Sequence, residues 1–390
     1  MNSPLDVAII GGGIIGCATA LELSRRGVKV AVLEKGSLAS GSTGKSSAIV
    51  RQHYSNEVTA RMARWGLDVF HDFEERVGGP CGFVQCGFLV LVAAEDEEGL
   101  HANVALQRAV GIDTRILSPQ EIRDVLPGVA SSDLVAAAYE PDAGYADPHM
   151  TTTALADAAK RLGAKFFFNR AVTGIRFTGG RVEGVDTAAG PLDAPAVVNC
   201  AGPWGARVAA MAGLDVPVAS CRAQVAVFGR PEGRRGPHPV VLDFAHASYF
   251  RPETGDLMLV GLIDPSEADD VVDPDDYPEH SDAGFDLEVG GRWVQRCPPM
   301  DAAEHRRGYA GLYAVTPDWH PIIDEVPAGS GHFLCTGFSG HGFKLGPAVG
   351  LMTAEMVLGE APTFDRRMFR LSRYAEGDRV RGRYEYSITG

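Results

Sequence analysis

The N-terminal residues up to Glu34 contain the feature that most restricts the fold of this chain. A short apolar segment, Asp6–Ile10, has the composition of a buried parallel strand and leads into Gly11–Gly16, which has the form G-x-G-x-x-G. A helical pattern then extends to Arg26, and a second apolar segment, Val28–Leu33, ends at the acid Glu34. This order of strand, glycine-rich turn, helix, strand and acid predicts a Rossmann-type unit that binds a dinucleotide.

Each part of this motif has a physical role in holding a dinucleotide. Gly11 permits the turn, Gly13 lets the backbone approach the pyrophosphate, and Gly16 lets the helix pack closely on the strand. The helix N-terminus offers free N–H groups and a partial positive charge to the phosphates, and Glu34 can accept hydrogen bonds from the ribose hydroxyls. The motif alone does not distinguish FAD from NAD.

Length, charge and cysteine pattern limit the remaining classes of protein. The 390 residues suffice for two domains, and the net charge of −14 argues against non-specific nucleic-acid binding but not against a small anionic substrate. The seven cysteines include no C-x-x-C pair, so we expect reduced thiols and no metal site. No apolar run approaches the roughly 18 residues of a membrane span, and we expect no signal peptide and a cytoplasmic location.

The C-terminal part of the chain contains a second strand–turn–helix pattern. His332–Thr336 has the composition of a strand, Gly337–Gly342 that of a turn, and a helical pattern continues through Val357. The density of glycine between two apolar runs argues against a plain packing turn. Such a turn directs a second helix N-terminus, with its partial positive charge, into the site.

Six segments in chain order carry a family resemblance. They are Ser40–Gly44, Ile49–Arg51, Tyr139–Gly144, Asn199–Trp204, Thr316–Asp324 and Phe333–Lys344, the last with the string G-F-S-G-H-G-F-K. Together they resemble the sarcosine oxidase branch of the D-amino-acid-oxidase-like flavoproteins, over nearly the whole chain. The resemblance implies FAD as the cofactor, and a C-terminal helix that stabilises negative charge on the N1–C2=O edge of reduced flavin.

The fold class that the resemblance implies is α/β with an α+β second domain, a Rossmann-type FAD-binding domain interleaved with an antiparallel-sheet substrate domain. The first would comprise residues 1–85, 145–215 and 310–390, and the second residues 86–144 and 216–309. Local patterns predict a helix at 151–162 and strands at 166–168, 174–177, 182–186, 196–199, 218–228, 240–244, 248–250 and 257–262. We interpret the acidic residues 264–288 and the Arg-rich residues 366–383 as solvated surface segments.

The resemblance also assigns residues to the cofactor site. They are Gly11, Gly13, Ile14, Ile15, Gly16, Glu34, Lys35, Ser42, Thr43, Gly44, Lys45, Ser46, Ser47, Val172, Ala201, Gly202, Trp204, Gly311, Gly340, His341, Gly342, Phe343 and Lys344. Relatives that hold flavin covalently use a Cys at the position of Gly311 or a His at that of Lys45. Neither residue can form the same bond, so the sequence predicts non-covalent FAD.

The substrate that the resemblance implies is a small amine that carries a carboxylate. Arg51 and Lys344 match the family's carboxylate-binding cations, although each also fits a surface position. Tyr249 and Tyr313 are candidate walls of the site or core aromatics. For His341, and for His320 nearby by motif, proton transfer and a structural hydrogen bond both remain open.

The chain departs from the family in the residues that serve oxygen chemistry. The oxygen-activating Lys of relatives would fall near Leu259 and a catalytic His near Ile263, and no Lys occurs between Lys165 and Lys344. We therefore expect oxygen to be a poor electron acceptor compared with a dye or a partner protein. Lys45, or less effectively Arg251, is the substitute that would change this expectation.

The sequence thus predicts oxidation of a C–N bond by hydride transfer to flavin N5, giving an imine that hydrolyses. Three alternatives remain open: a flavin subunit of a multi-subunit amino-acid dehydrogenase, a 2-hydroxy-acid dehydrogenase on the same scaffold, and a flavin-binding module without turnover. The final acceptor would be O2 or an electron-carrier protein. The exact substrate, its chirality and the oligomeric state stay open.

Overall fold

The computed structural model describes residues 5–234, 236 and 238–384, so the predicted domain ends at 1–4 and 385–390 lie outside the described residues. The strands are β1 (Val7–Ile10), β2 (Val30–Leu33), β3 (Ile49–Val50), β4 (Val84–Gln85), β5 (Phe88–Val92), β6 (Arg115–Leu117), β7 (Ala136–Glu140), β8 (Gly144–Tyr145), β9 (Lys165–Phe167), β10 (Val172–Thr178), β11 (Arg181–Thr187), β12 (Leu192–Asp193), β13 (Ala196–Asn199), β14 (Ala219–Gly229), β15 (Val240–Asp243), β16 (Ser248–Glu253), β17 (Leu257–Leu262), β18 (Glu304–Val315), β19 (Ile322–Glu325) and β20 (His332–Thr336). The helices are α1 (Ile14–Arg25), α2 (Glu57–His71), α3 (Phe73–Val77), α4 (Glu97–Ala109), α5 (Pro119–Val125), α6 (Pro148–Arg161), α7 (Gly205–Ala210), α8 (Ala283–Arg296), α9 (Gly342–Leu358) and α10 (Arg373–Glu376).

A six-stranded sheet in the order β19-β20-β13-β1-β2-β9 carries the N-terminal motif. Its strands are parallel except for β19, which pairs antiparallel with β20 at one edge. The central strands β1 and β2 are buried along their whole length, which explains their continuous apolar sequences. Because the carboxyl ends of parallel strands meet at one edge, the turns after β1, β2, β13 and β20 converge there.

Helices α1 and α9 pack closely against each other on one side of this sheet, because glycines of α9 face α1. A Cβ atom at Gly350 would lie 2.6 Å from the Ala18 backbone, and one at Gly346 would lie 2.6 Å from the Ile14 side chain. A Cβ at Gly16 would lie 2.0 Å from the Gly11 carbonyl oxygen, so this glycine has the packing role that the motif predicts. The close packing brings the N-termini of both helices to the same edge of the sheet.

An eight-stranded sheet in the order β18-β14-β17-β16-β15-β5-β7-β6 forms the second layer. Its neighbours are antiparallel except β15 and β5, which are parallel. Two three-stranded sheets, β10-β11-β12 and β3-β8-β4, complete the β structure of the described residues. The predicted α/β class with an antiparallel second sheet is confirmed, and the predicted elements begin and end within a few residues of the observed ones. The exact domain boundaries stay a prediction.

The prediction that residues 264–288 form a solvated surface segment misses two features of these residues. Helix α8 begins at Ala283, inside the predicted segment. Residues 264–282, which we call the acidic strap, make ion pairs with the rest of the chain, including Asp273 and Asp275 with Arg207 at 2.8 and 2.9 Å. The acidic side chains therefore attach the strap to Arg207 of helix α7 while they stay in contact with solvent.

The Arg-rich residues 366–383 also depart from the prediction of a surface segment, at Phe369 and at Arg373. The Arg373 side chain is fully buried, and its guanidinium donates to both carboxylate oxygens of Asp318 at 2.8 and 2.9 Å. A bidentate pair of this kind satisfies both charges away from water. The buried pair fixes the C-terminal segment to the loop after β18.

The described part of the chain contains neither a membrane-spanning helix nor a cluster of metal ligands. None of its helices is both long and apolar enough to cross a membrane. Over the same residues, no three or more His, Cys, Asp or Glu side chains group as metal ligands would.

Candidate functional site

A cleft of about 750 Å³ lies where the carboxyl ends of the parallel strands face the eight-stranded sheet. It runs from the turn after β1, past Glu34 and the Ser40–Ser47 loop, to β18 and the start of α9. This volume is within the range of small-molecule and cofactor pockets. The location at the carboxyl edge of a parallel sheet is typical of dinucleotide sites.

The turn between β1 and α1 forms a cradle in which side chains have no room. Gly11 has φ of +111°, and a Cβ there would lie 2.4 Å from the Cys200 carbonyl oxygen. Gly13 is the N-cap residue of α1 and has no side chain to cap the helix, and the first turn of α1 contains no acidic residue. The Ile14 N–H donates to Thr43 Oγ1 at 3.2 Å, which ties the cradle to the Ser40–Ser47 loop. The geometry suits a pyrophosphate at the helix N-terminus.

Glu34 is held in place by backbone N–H groups. Its Oε2 accepts from Gly12 N at 2.7 Å, and its Oε1 accepts from Gly36 N at 2.7 Å. The carboxylate is therefore fixed in the cleft wall, and each oxygen keeps acceptor capacity for a ribose hydroxyl.

The outer end of the cleft is closed by the acidic strap. Trp204 Nε1 donates to Asp275 at 2.9 Å, and the Lys35 ammonium lies 3.7 Å from the centre of the Trp204 indole ring. Val172, Ala201 and Gly202 line the same end. Sequence patterns gave no sign of these contacts, because Asp275 is far from Lys35 and Trp204 along the chain.

Lys45 and Gly311 lie side by side at the inner part of the cleft. A Cβ at Gly311 would lie 3.0 Å from the Lys45 Cβ, so both positions named for covalent attachment meet in space. The Lys45 ammonium hydrogen-bonds to the Tyr277 hydroxyl at 2.8 Å and pairs with Glu279 at 3.0 Å, both in the acidic strap. Burial opposes the charge, but these two partners raise the pKa of Lys45 above its ordinary value. The Lys45 ammonium is therefore held by the acidic strap.

The turn before α9 presents a second helix N-terminus to the cleft. A Cβ at Gly340 would lie 3.2 Å from the Tyr313 ring, so glycine lets this ring lie against the turn. The first turn of α9 has no acidic residue and no side-chain cap. Its free N–H groups and partial positive charge face the cleft beside Phe343.

Two buried cations, Arg51 and Lys344, line the inner end. The Arg51 guanidinium lies 4.6 Å from the centre of the Tyr54 ring and donates to the His53 carbonyl oxygen. Among the described residues, Lys344 Nζ has no hydrogen-bond or ion-pair partner, although the residue is only 6% exposed. Burial, and then the charge of Arg51, lower the pKa of Lys344 well below its ordinary 10.5. An anion bound between the two would relieve both effects.

The remaining predicted residues divide between the cleft and its support. Tyr249 and Tyr313 line the cleft, and the Tyr249 hydroxyl lies 2.6 Å from Ser47 Oγ. The cleft lining includes the predicted cofactor residues except Gly16, Gly44 and His341. His341 was predicted to contact the site, but its side chain lies behind the wall, with Nδ1 3.2 Å from the Tyr54 hydroxyl. His320 stacks near it at 6.4 Å between ring centres.

Sequence reasoning missed several residues of this wall. Arg170, Leu242, Tyr277 and Glu279 line the cleft, and Tyr54 supports Arg51 from behind. None carries a local motif: Leu242 reaches the site through strand pairing, Tyr277 and Glu279 through the strap, and Arg170 through the backbone hydrogen bond from its N–H to the Glu34 carbonyl oxygen. Of these residues, Tyr54 alone could have been found from the sequence, because it closely follows Arg51.

A sequence model described as "DAO: FAD dependent oxidoreductase" matches residues 6–356. The chain belongs to this family. Its members' cofactor, FAD, fits the DAO-family cleft described above: glycine cradles that a Cβ would fill, a fixed acid at Glu34, and the buried Ser42 hydroxyl, which lacks a partner among the described residues.

Several DAO-family relatives resemble the chain over most of its length. The mouse mitochondrial sarcosine dehydrogenase is 32% identical over 389 residues, covering 96% of this chain but 42% of the relative, so the chain spans less than half of that protein. The glycine oxidase of Geobacillus kaustophilus (strain HTA426) is 28% identical, covering 96% of this chain and 98% of the enzyme. The structure of L-proline dehydrogenase from P. horikoshii superposes with a TM-score of 0.90 at 28% identity, covering 97% of this chain and 100% of that one.

Proposed function

We propose that this flavoprotein oxidises the C–N bond of a small amino acid or N-substituted glycine. The observation that carries the proposal is the pair of buried cations, Arg51 and Lys344, at the inner end of the FAD cleft. Burial and the charge of Arg51 both disfavour the charged form of Lys344, and an anion bound beside Lys344 would offset both effects. A substrate carboxylate is the anion that an amino-acid oxidation brings.

The residues of this cleft have separate tasks in such a reaction. Bound FAD supplies the hydride acceptor. Arg51 and Lys344 hold the carboxylate and so fix the direction of the substrate C–H bond. The uncharged wall formed by Leu242 and Ile263 keeps water from the reacting end. Tyr249, bonded to Ser47, is placed to contact the amine, which must be neutral before a hydride leaves.

The names of the relatives support this substrate class. Sarcosine dehydrogenase, glycine oxidase and L-proline dehydrogenase are each named for a small amine with an adjacent carboxylate. The sarcosine oxidase subunit beta of Rhodobacter capsulatus, 27% identical over 95% of this chain, supports a second candidate function, that of a flavin subunit in a larger assembly. Co-purification with electron-carrier subunits from the native source would favour this second function.

Anaerobic titration of the holoprotein tests the proposal. Glycine, N-methylglycine, both enantiomers of proline, and lactate are mixed with the protein while flavin absorbance is followed. Bleaching by an amine but not by lactate is expected. Bleaching by lactate alone would favour 2-hydroxy-acid oxidation, and no bleaching with any of these compounds would favour a binding module without turnover.

The reduced protein is expected to react with oxygen about 100-fold more slowly than with an artificial dye. A fixed positive charge stabilises the anion formed when oxygen accepts an electron, and a preorganised charge typically contributes a factor of about 10²–10³. The β14 side chains that line the cleft, Ala223 and Val225, are uncharged, and Leu259 is buried in an apolar cluster. Stopped-flow reoxidation by oxygenated buffer or by dye measures both rates.

Two variants test whether the charge of Lys45 contributes to the reaction with oxygen. Lys45→Met is expected to leave the slow oxygen rate unchanged, since its charge is committed to Glu279. Glu279→Gln removes that partner and is expected to raise the oxygen rate. Fast reoxidation of the unmodified protein by oxygen would contradict the prediction, and its collapse in Lys45→Met would assign the charge to Lys45.

FAD is expected to be bound without a covalent link. Gly311 has no side chain and Lys45 carries an ammonium held by Tyr277 and Glu279, so neither provides the Cys or His of the covalent relatives. Acid precipitation should release yellow FAD into the supernatant. Flavin that sediments with the protein would refute the expectation.

A further inference from the structure

Arg51 begins a segment, Arg51–Ser55, in which every residue is buried although most are polar. Other elements hold its backbone: Gln52 N donates to Glu140 Oε2 at 2.8 Å, and Gln107 Nε2 donates to the Tyr54 carbonyl oxygen at 3.2 Å. A buried polar segment costs free energy unless its groups are paired in this way. The conformation of Arg51 is therefore set by its surroundings rather than by solvent.

Tyr54 is the member of this segment that contacts both Arg51 and His341, the residue directly before helix α9, which carries Lys344. Its ring lies beneath the Arg51 guanidinium at 4.6 Å, a distance suited to a cation–π contact. Its hydroxyl is hydrogen-bonded to His341 Nδ1 at 3.2 Å, and the two rings lie 5.5 Å apart. Burial raises the pKa of Tyr54 to about 12, so the hydroxyl stays protonated.

His341 connects this contact to the second cation. It precedes α9 directly, and Lys344 lies in the first turn of that helix. Burial, followed by the charges of Lys344 and Arg51, lowers the pKa of His341 well below its ordinary 6.5, so the ring is neutral at physiological pH. A neutral, fully buried ring is a structural support for the helix N-terminus rather than a third charge.

We propose that Tyr54 is a positioning residue that aligns Arg51 and Lys344 as one carboxylate-binding unit, its ring face fixing the guanidinium and its hydroxyl fixing the turn that carries Lys344. The proposal rests on the function proposed above. It explains why His341, which resembles a catalytic residue by motif, faces away from the cleft. It also assigns a role to a residue that does not itself line the cleft.

Binding of propionate, a carboxylate with no amine to oxidise, tests the proposal in the holoprotein. Tyr54→Phe keeps the ring and loses one hydrogen bond, so the Kd for propionate, measured by perturbation of flavin absorbance, is expected to rise about three- to tenfold. Tyr54→Leu loses both contacts, and a total rise of about 10- to 100-fold is expected. With an amine substrate, KM should rise by the same factors and kcat should change less.

Tyr374→Phe is the matched control. It removes a tyrosine hydroxyl bonded at 3.0 Å to the buried Asp318 rather than to His341, so propionate binding should be unchanged. Flavin content and thermal midpoints of all variants show whether each is folded. A graded loss in the order Tyr54→Phe and then Tyr54→Leu, at unchanged flavin content, supports the proposal.

The failures are distinguishable. If the unmodified protein binds propionate, Arg51→Ala abolishes binding, and both Tyr54 variants bind normally, Tyr54 is only a core residue and the proposal is overturned. If Tyr54→Phe and Tyr374→Phe weaken binding equally, the effect is general destabilisation and the proposal is again overturned. If the unmodified protein binds no propionate, the carboxylate site itself is refuted, together with the role of Tyr54.

Discussion

Arg51→Ala and Lys344→Met are each expected to lower kcat/KM for an amino-acid substrate by about ten- to hundredfold while FAD remains bound. A charge-assisted hydrogen bond in a desolvated site is worth about 1.5–3 kcal/mol, which converts to this range. Both side chains are buried in the cleft wall, so water replaces them poorly. The glycine cradle and Glu34, which fit the dinucleotide, lie at the other end of the cleft.

The measurement is the anaerobic rate of flavin reduction against substrate concentration. Lys160→Met, which removes an exposed lysine paired with Asp157, is the control and should match the unmodified protein. Loss of flavin from the Arg51 or Lys344 variants would show that the residue supports the cofactor instead. Unchanged kinetics in both variants would remove the carboxylate site from the proposed function.

Arg51 and Lys344 also make substrate binding depend on pH. The pKa of Lys344 is lowered in the free protein, and a bound carboxylate favours the charged form of this lysine. Substrate binding therefore takes up a proton, and the affinity falls as the pH rises through the pKa of Lys344. Glu140 acts in the same direction, because burial raises its pKa to about 7 and its ionised form offsets the charge of Arg51. Lys344→Met should therefore flatten the pH profile in part, and Lys344→Met with Glu140→Gln should flatten it further.

Arg296→Met is expected to lower the free energy of unfolding by about 3–5 kcal/mol, the usual cost of breaking a buried ion pair from one side. The guanidinium of Arg296, at the end of α8, pairs with Asp243 at 2.6 Å and Asp133 at 2.8 Å, and the Arg296 and Asp243 side chains are fully buried. Removal of the arginine leaves the Asp243 carboxylate without its main counter-charge in the core of the eight-stranded sheet. His246, 2.8 Å away, offsets only part of this.

Urea unfolding followed by circular dichroism measures the change. Arg306→Met is the control, since its pair with Glu304 is exposed on both sides and should contribute less than about 1 kcal/mol. Equal midpoints for the two variants would mean that the buried network contributes no more than a surface pair. The comparison is most direct when both proteins contain the same amount of FAD.

The sequence predicted best where the signal is local. The strand–turn–helix patterns around Gly11 and Gly337 were found with their bounds nearly right, because glycine placement and apolar periodicity arise from neighbours in the chain. Arg51 and Lys344 were found by motif, and both lie in the cleft. Their roles remain predictions until the kinetics are measured.

The sequence predicted least where charged residues make distant contacts. Asp275, Arg373 and Arg296 look like solvated charges, since nothing nearby in the chain marks their partners. Each is paired with a residue more than fifty positions away. Composition places such residues on the surface, and only the fold brings their partners within reach. His341 is the opposite case, a motif residue that does not line the cleft and whose ring is bonded to Tyr54 behind the cleft wall.

The interleaving of the chain has a consequence for its synthesis. Val7 pairs with Ala196, and Val197 pairs with His332, so the central sheet cannot close until the segment through β20 has left the ribosome. Contacts this far apart give a high contact order and slow folding, during which the apolar strands β1 and β2 stay open to association with other chains. The nucleotide cradle at Gly11 is made well before its wall at Cys200 and the α9 turn. Cofactor loading therefore belongs to the end of folding.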